Sequence, residues 1–205
     1  MDKFIVTSYY TINTQYQQVI HDYLMTSLRK VNVESDIRGV ENLGSWSANT
    51  SYKPTFILQM LNKHPDKNII FLDADAEILE YPRLFEEIPE EHNFAAHVLD
   101  RNSWYNTKFN DNESTELLSG TFFVRNNEES RRIINIWIQE CGRTKEWEQR
   151  VLRRVLKECS VKLYELPLSY CYIKSLPNGG EPFVKCDNPI VVHNQVSRKL
   201  RNVIR

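Results

Sequence analysis

Four consecutive apolar residues, Ile69-Ile70-Phe71-Leu72, run straight into Asp73-Ala74-Asp75. A strand with one wet face alternates apolar and polar residues, so an unbroken run of this length reads as a buried strand. A shorter run, Phe4-Ile5-Val6, is predicted to be a first strand buried on both faces. Between the two, Tyr16, Val19, Ile20, Tyr23, Leu24, Leu28 and Val31 recur with the spacing of an amphipathic helix. Val31, Val33 and Ile37 alternate like a second strand, and Pro54 is placed to open a helix that His64-Pro65-Asp66 ends. Strands alternating with helices imply an α/β domain: a mixed, mainly parallel sheet flanked by helices.

The rest of the chain continues the pattern less regularly. Residues 38–52, rich in Gly, Ser and Asn, read as a loop, and Pro82 as the start of a short helix. Asn93 to Val98 reads as a strand, 99–116 as irregular, and Thr121 to Val124 as a strand. One helix carries Ile133, Ile134, Ile136 and Trp137; a second, capped by Thr144, carries Trp147, Val151, Leu152, Val155 and Leu156. Val161 to Leu166 and Pro189 to Val192 supply late strands. The 205 residues suit one domain, 1–205. Lys and Arg total 26 against 27 Asp and Glu, so no global basic excess points to nucleic acid. The apolar runs are strand-sized, and neither a membrane span nor a signal-peptide core is expected. Four cysteines without C-x-x-C spacing suggest reduced thiols in a cytoplasmic compartment.

Three polar clusters follow predicted strands: Thr7-Ser8-Tyr9, Asp73-Ala74-Asp75 and His193. In open α/β sheets ligands bind beyond the carboxyl ends of strands. Two carboxylates at a sheet rim repel one another, and a divalent cation removes that cost while carrying a diphosphate. A solvated acidic turn capping the helix at Pro82 is the plainer reading of the pair. His193 is a suitable third ligand for Mn²⁺, or else a hydrogen-bonded structural residue. The tail from Asn194 holds Arg198 and Lys199 and no acid; it reads either as a clamp for a leaving diphosphate or as a solvated terminus.

In this context Ile69 to Leu79, with Pro82 following, resembles the DXD segment of GT-A glycosyltransferases. Ser119-Gly120-Thr121-Phe122-Phe123-Val124-Arg125-Asn126 resembles the small-Gly-apolar strand of family 8 and related nucleotide-diphospho-sugar transferases. Glu148-Gln149 falls where those families carry an acid–Gln pair, and His193 with Lys199 six positions on matches the family's His-x-x-Gly-x-x-Lys spacing. Val196 stands in place of that Gly, Leu200-Arg201 in place of Pro-Trp, and Glu148 where Asp is usual.

The resemblance implies a GT-A fold, with a nucleotide-binding half over roughly 1–98 and a donor-sugar and acceptor half over roughly 99–205. It implies a metal, Mn²⁺ with Mg²⁺ as the alternative, held by Asp73, Asp75 and His193. The donor would be a nucleotide-diphospho-sugar, a UDP-sugar first, and the acceptor a glycan or glycoprotein hydroxyl. The protein would stand alone or as one domain of a larger one. Thr7, Tyr9 and Arg38 match positions near base and ribose; Lys53 matches a basic residue near phosphate or sugar, with Trp46 in the same loop; Lys199 matches a phosphate ligand. Ser119 and Gly120 would let the sugar approach the backbone. Glu148 or Gln149 would sit near the anomeric carbon, unless both lie on the solvent face of their helix. His97 and Asp100 are candidate hydroxyl contacts. Asp100 is the first base to test if the enzyme inverts, although family 8 implies retention.

Two other readings remain at this stage. A haloacid-dehalogenase-like phosphatase would use Asp73 as nucleophile, but its motif usually lies on the first strand and Glu77 does not fit it. A non-catalytic nucleotide-sugar-binding module would keep the sheet without turnover.

Overall fold

In the computed structural model, which describes residues 3–196 and 200, the first apolar run extends into a long strand, β1 (Phe4–Thr11). A helix in three parts follows: α1 (Tyr16–Ile20), a π-helical stretch (His21–Met25) and α2 (Thr26–Val31), closed by Asn32 in the left-handed conformation. Then come β2 (Ser35–Val40), α3 (Trp46–Ser51), α4 (Lys53–Lys63), β3 (Asn68–Leu72), β4 (Ala76–Ile78), α5 (Leu84–Glu87), β5 (Phe94–Asp100) and α6 (Arg101–Tyr105). The chain continues through β6 (Thr115–Val124), α7 (Glu128–Arg143), α8 (Glu148–Glu158), β7 (Leu163–Glu165), β8 (Tyr172–Ile173) and β9 (Val191–His193).

The main sheet runs β2-β1-β3-β6-β5-β7. β1 is parallel to β2 and to β3, and β5 to β7, while β6 is antiparallel to both its neighbours. A smaller sheet, β4-β9-β8, stands beside it. The unbroken apolar runs are explained by helices on both faces. Ile5, Ile69 and Phe71 pack with Phe56, Trp137 and Leu152 of α4, α7 and α8. Their sequence neighbours Phe4, Val6, Ile70 and Leu72 pack with Leu24, Leu28 and Phe85 on the other face. Both faces are dry, as a parallel sheet core requires.

Several expectations change: residues 99–116, expected to be irregular, hold the end of β5, all of α6 and the first residues of β6, and the second strand starts at Ser35, with Val31 ending α2. β1 continues five residues past Val6, because Thr7 to Thr11 are β-branched or aromatic in four of five positions and pair along β2 and β3. The expected loop 38–52 holds the end of β2 and all of α3, whose N-cap Ser45 accepts from the Ala48 amide at 3.1 Å. The last long helix begins at Glu148 and not at Thr144; Thr144 Oγ1 accepts the Glu146 amide in the preceding turn.

Candidate active site

A cleft of about 510 Å³ opens at the carboxyl ends of β1 and β3. β3 stops where the Asp73 amide donates to the Gly120 carbonyl (2.9 Å) and the Ala76 amide to the Asp73 carbonyl (3.0 Å). That tight turn delivers the chain into β4, which pairs with β9 so that Ala76 faces His193. Asn194 then donates to the Asp75 carbonyl from its amide (3.2 Å) and its side chain (3.0 Å), and the Val196 amide donates to Asp75 Oδ2 at 2.7 Å. An acidic pair and a histidine 118 positions beyond it are thereby brought to one wall.

The facing wall is organised by Lys53. Its ammonium lies 3.1 Å from Asp73 Oδ1, 3.0 Å from Glu148 Oε1 and 2.9 Å from Ser119 Oγ, and rests over the Phe71 ring. The side chain is only 5% exposed. Burial alone would lower the Lys53 pKa, but the Asp73 and Glu148 carboxylates outweigh it and hold the ammonium above the ordinary lysine value. Glu148 and Gln149 are the first residues of α8, where the positive end of the helix favours an acid. Trp137 of α7 fixes that start by donating from Nε1 to the Glu148 carbonyl at 3.0 Å. The solvent-face reading of this pair is therefore overturned: Glu148 and Gln149 are buried, and both line the cleft.

Between these walls lies a bulge. On β6, Phe122 faces Ala96 of β5, but the next β5 residue, His97, faces Leu118. Ser119, Gly120 and Thr121 are thus left without partners in β5 and are free to serve the cleft, as bulges beside functional sites often do. Gly120 is required by space. A Cβ there would lie 2.9 Å from Asp73 Oδ2 and 2.9 Å from His193 Cε1. Thr121 Oγ1 and His193 Nε2 share a hydrogen bond of 2.9 Å, and His193 Nδ1 lies 4.0 Å from Asp75 Oδ1. Burial pushes the imidazole pKa down to about 4; Asp73 opposes that shift and Lys53 adds to it. His193 is therefore neutral and able to act as a ligand. Among the described residues no three His, Cys, Asp or Glu side chains are gathered tightly enough to hold a metal ion as they stand.

The charge balance of the lining is one-sided. Asp73, Asp75, Glu116 and Glu148 line the cleft, and Lys53 is the one lysine or arginine among its described lining residues. Burial, and then Glu148 and Asp73, raise the Tyr9 phenol well above its usual pKa, so it stays protonated and donates to the Asn49 carbonyl at 2.7 Å.

Several predicted residues are not brought in. Thr7 is interior to β1, fully enclosed, with Oγ1 donating to the Ile70 carbonyl. Arg38 is interior to β2 and pairs with Asp36. Both were expected at strand ends, but each strand runs further. Asp100 is exposed and caps α6, accepting from the Asn102 and Ser103 amides and from Ser103 Oγ; the last bond leads in holding its pKa down. His97 is buried against the Leu166 carbonyl (2.7 Å). None of these four lines the cleft. Tyr9 does line it, but its ring is packed among Tyr52, Phe56 and Phe71. Lys199 lies outside the described residues.

Sequence reasoning missed Tyr10, Thr11, Tyr16, Glu116 and Trp147 as lining residues. The β1 tyrosines follow from the true end of that strand. Trp147 sits 6.1 Å, ring to ring, from Trp46, and its position beside Glu148-Gln149 was the available signal.

The nucleotide-diphospho-sugar transferase family matches residues 13–202. No curated protein matches the chain. Among solved structures, a glycosyltransferase involved in the glycosylation of the major capsid of PBCV-1 superposes with a TM-score of 0.68 at 14% identity, covering 98% of each chain. The WbbM bifunctional glycosyltransferase gives 0.65 at 13% identity, covering 95% of this chain and 46% of that one. GlyE of Streptococcus pneumoniae TIGR4 gives 0.53 at 13%, covering 94% and 54%. At these identities the likeness is one of fold.

Proposed function

We propose a donor, a metal and a route for this chain from one premise: it belongs to the nucleotide-diphospho-sugar transferase family, and so is a glycosyltransferase. Its reaction moves the sugar of a UDP-sugar to a hydroxyl of a glycan or glycoprotein acceptor with a divalent cation, Mn²⁺ or Mg²⁺, and with retention of anomeric configuration. The observation that carries the metal is the charge of the cleft. Among the described lining residues four carboxylates stand against one lysine, a balance that disfavours a diphosphate and favours a cation of higher charge.

The donor set suits such an ion: carboxylate oxygens and a neutral imidazole are ligands for Mn²⁺. Asp75 and His193 would hold it with Asp73 Oδ2, the oxygen above Gly120, while Asp73 Oδ1 stays with Lys53. Gly120 keeps that space open. When bound, the ion supplies Lewis-acid stabilisation of the departing nucleoside diphosphate. Lys53 would hold Glu148 in place beside the sugar, and Ser119 and Gly120 would let the sugar lie against the backbone. Retention is supported by Asp100: the first base expected for inversion is spent on capping α6 and does not line the cleft.

The test is a panel of UDP- and GDP-sugars incubated with Mn²⁺, with nucleoside diphosphate release read by mass spectrometry. Release from a UDP-sugar, lost in Asp75→Ala, is the expected result. Turnover that ignores the metal, or full activity in that variant, would overturn the reading.

A further inference from the structure

Gln149 is held from both ends of its amide, and the two partners leave no freedom in which way it points. The Ser119 backbone amide can only donate, so the atom facing it at 2.9 Å is Oε1. The Glu116 carboxylate accepts, so the atom facing its Oε1 at 2.8 Å is Nε2. Ser119 Oγ adds a longer contact of 3.3 Å to the same Gln149 oxygen. The carbonyl is thus occupied by Ser119, and one Nε2–H is occupied by Glu116. The second Nε2–H has no protein partner among the described residues, on a side chain that is 5% exposed and lines the cleft.

Glu116 is itself anchored. Arg101 Nε lies 3.8 Å from Glu116 Oε2, and the Arg101 guanidinium is stacked over the Phe109 ring at 4.0 Å and donates to the Glu113 carbonyl at 2.9 Å. Arg101 Nε is buried without a hydrogen-bond partner, and Glu116 is the carboxylate that Arg101 pairs with among the described residues. The segment after β5 therefore holds Glu116, and Glu116 holds Gln149.

We propose that Glu116 is a positioning residue that fixes the Gln149 carboxamide so that it acts on the bound donor as a hydrogen-bond donor through its free Nε2–H, and not as a nucleophile through Oε1. The proposal rests on the glycosyltransferase reading of this cleft. The carbonyl oxygen is turned to the Ser119 backbone amide, since the single Ser119 hydroxyl proton goes to Glu148 at the shorter 2.9 Å, whereas an N–H aimed at a sugar or bridging oxygen stabilises charge that develops there as the bond to the diphosphate breaks. The geometry of the amide and its role in turnover are separable, and each has its own measurement.

The geometry is read by NMR on the metal-free, ligand-free protein. The Gln149 side-chain NH₂ pair, assigned by its loss in Gln149→Glu, should show one proton slowed in solvent exchange, and Glu116→Ala should abolish that protection. Equal exchange of the two protons in the wild type would overturn the positioning whatever the activity. Turnover is read on the wild type and four variants with a UDP-sugar and Mn²⁺. Glu116→Ala should lose about 10- to 100-fold in kcat, less than the roughly 100- to 1,000-fold that removing a positioned donor itself costs, with the donor KM within about threefold. Glu116→Gln, which still offers an oxygen, should retain most of the rate. Gln149→Glu should lose activity and, having two facing carboxylates, stability. The swap Glu116→Gln with Gln149→Glu should recover the melting temperature without the rate, because it restores the hydrogen bond but not the free N–H. A swapped variant as active as the wild type would sink the donor role, and so would an unimpaired kcat in Glu116→Ala. A wild type with protected amide geometry but no release of nucleoside diphosphate from any sugar nucleotide would refute the functional reading and with it the role in turnover, leaving the amide geometry standing.

Discussion

Lys53 and His193 show opposite responses to burial, and each has a measurable consequence. Lys53 is charged because two carboxylates outweigh its desolvation. Removing one member of a buried pair leaves the other uncompensated, so Lys53→Met should cost about 3–5 kcal/mol in denaturant unfolding. Adding Glu148→Gln should return a large part of that loss; a double variant no more stable than the single would mean that Glu148 is not the charge Lys53 supports. His193 is neutral because burial wins, with its pKa near 4 in the folded protein against 6.5 in a free side chain. Between those values the unfolded chain takes up a proton that the folded chain refuses. Stability should therefore be unaffected by this group above about pH 6.5, fall as pH drops toward 4, and level off below it, by at most about 3 kcal/mol. In His193→Gln that component of the slope should vanish. An unchanged slope in the variant would show that the imidazole is not held neutral.

Elements, unlike residues, were legible to different depths. The nonalternating runs at Phe4–Val6 and Ile69–Leu72 announced a doubly covered sheet, and the helical spacing from Tyr16 to Val31 announced one long helix. Strand ends were harder: Thr7 and Ser8 look like a boundary by polarity, yet both are enclosed in β1. β4 and β8, three and two residues long, have no periodicity to read. The convergence of Asp73 and Asp75 with His193 was accessible because the pair follows one strand and the histidine ends another. The bulge that frees Ser119, Gly120 and Thr121 was not, since it depends on the register between β5 and β6. For the same reason Glu116 gave no signal: nothing in the sequence near it predicts that Gln149 lies opposite. The start of α8 is an element-level device too. Its anchor, Trp137, is fully buried and donates to the Glu148 carbonyl. Trp137→Phe should lower stability by about 1–3 kcal/mol through the lost bond and the vacated volume, and should raise the donor KM as Glu148 shifts. A loss under about 0.5 kcal/mol would show that the anchor is not needed.

Across the whole molecule, a net charge of −1 conceals a sorting of charge. The described surface spreads ion pairs of both signs along α7 and α8, such as Arg132 with Glu129 and Arg154 with Glu140. Among its described lining residues the cleft gathers four carboxylates and one lysine. A fold that places β1, β3 and the bulged β6 in this order creates a cavity of ligand size whose chemistry is acidic, in a family whose donors are anionic. On the reading proposed here, a cation arriving with the donor or before it resolves that mismatch. Isothermal titration of UDP into the protein, with Mn²⁺ and again with EDTA, measures this directly. We expect UDP binding with Mn²⁺, at least tenfold weaker binding with EDTA, and no difference between the two conditions in Asp75→Ala. Equal affinity of the wild type with and without the metal would contradict the central claim.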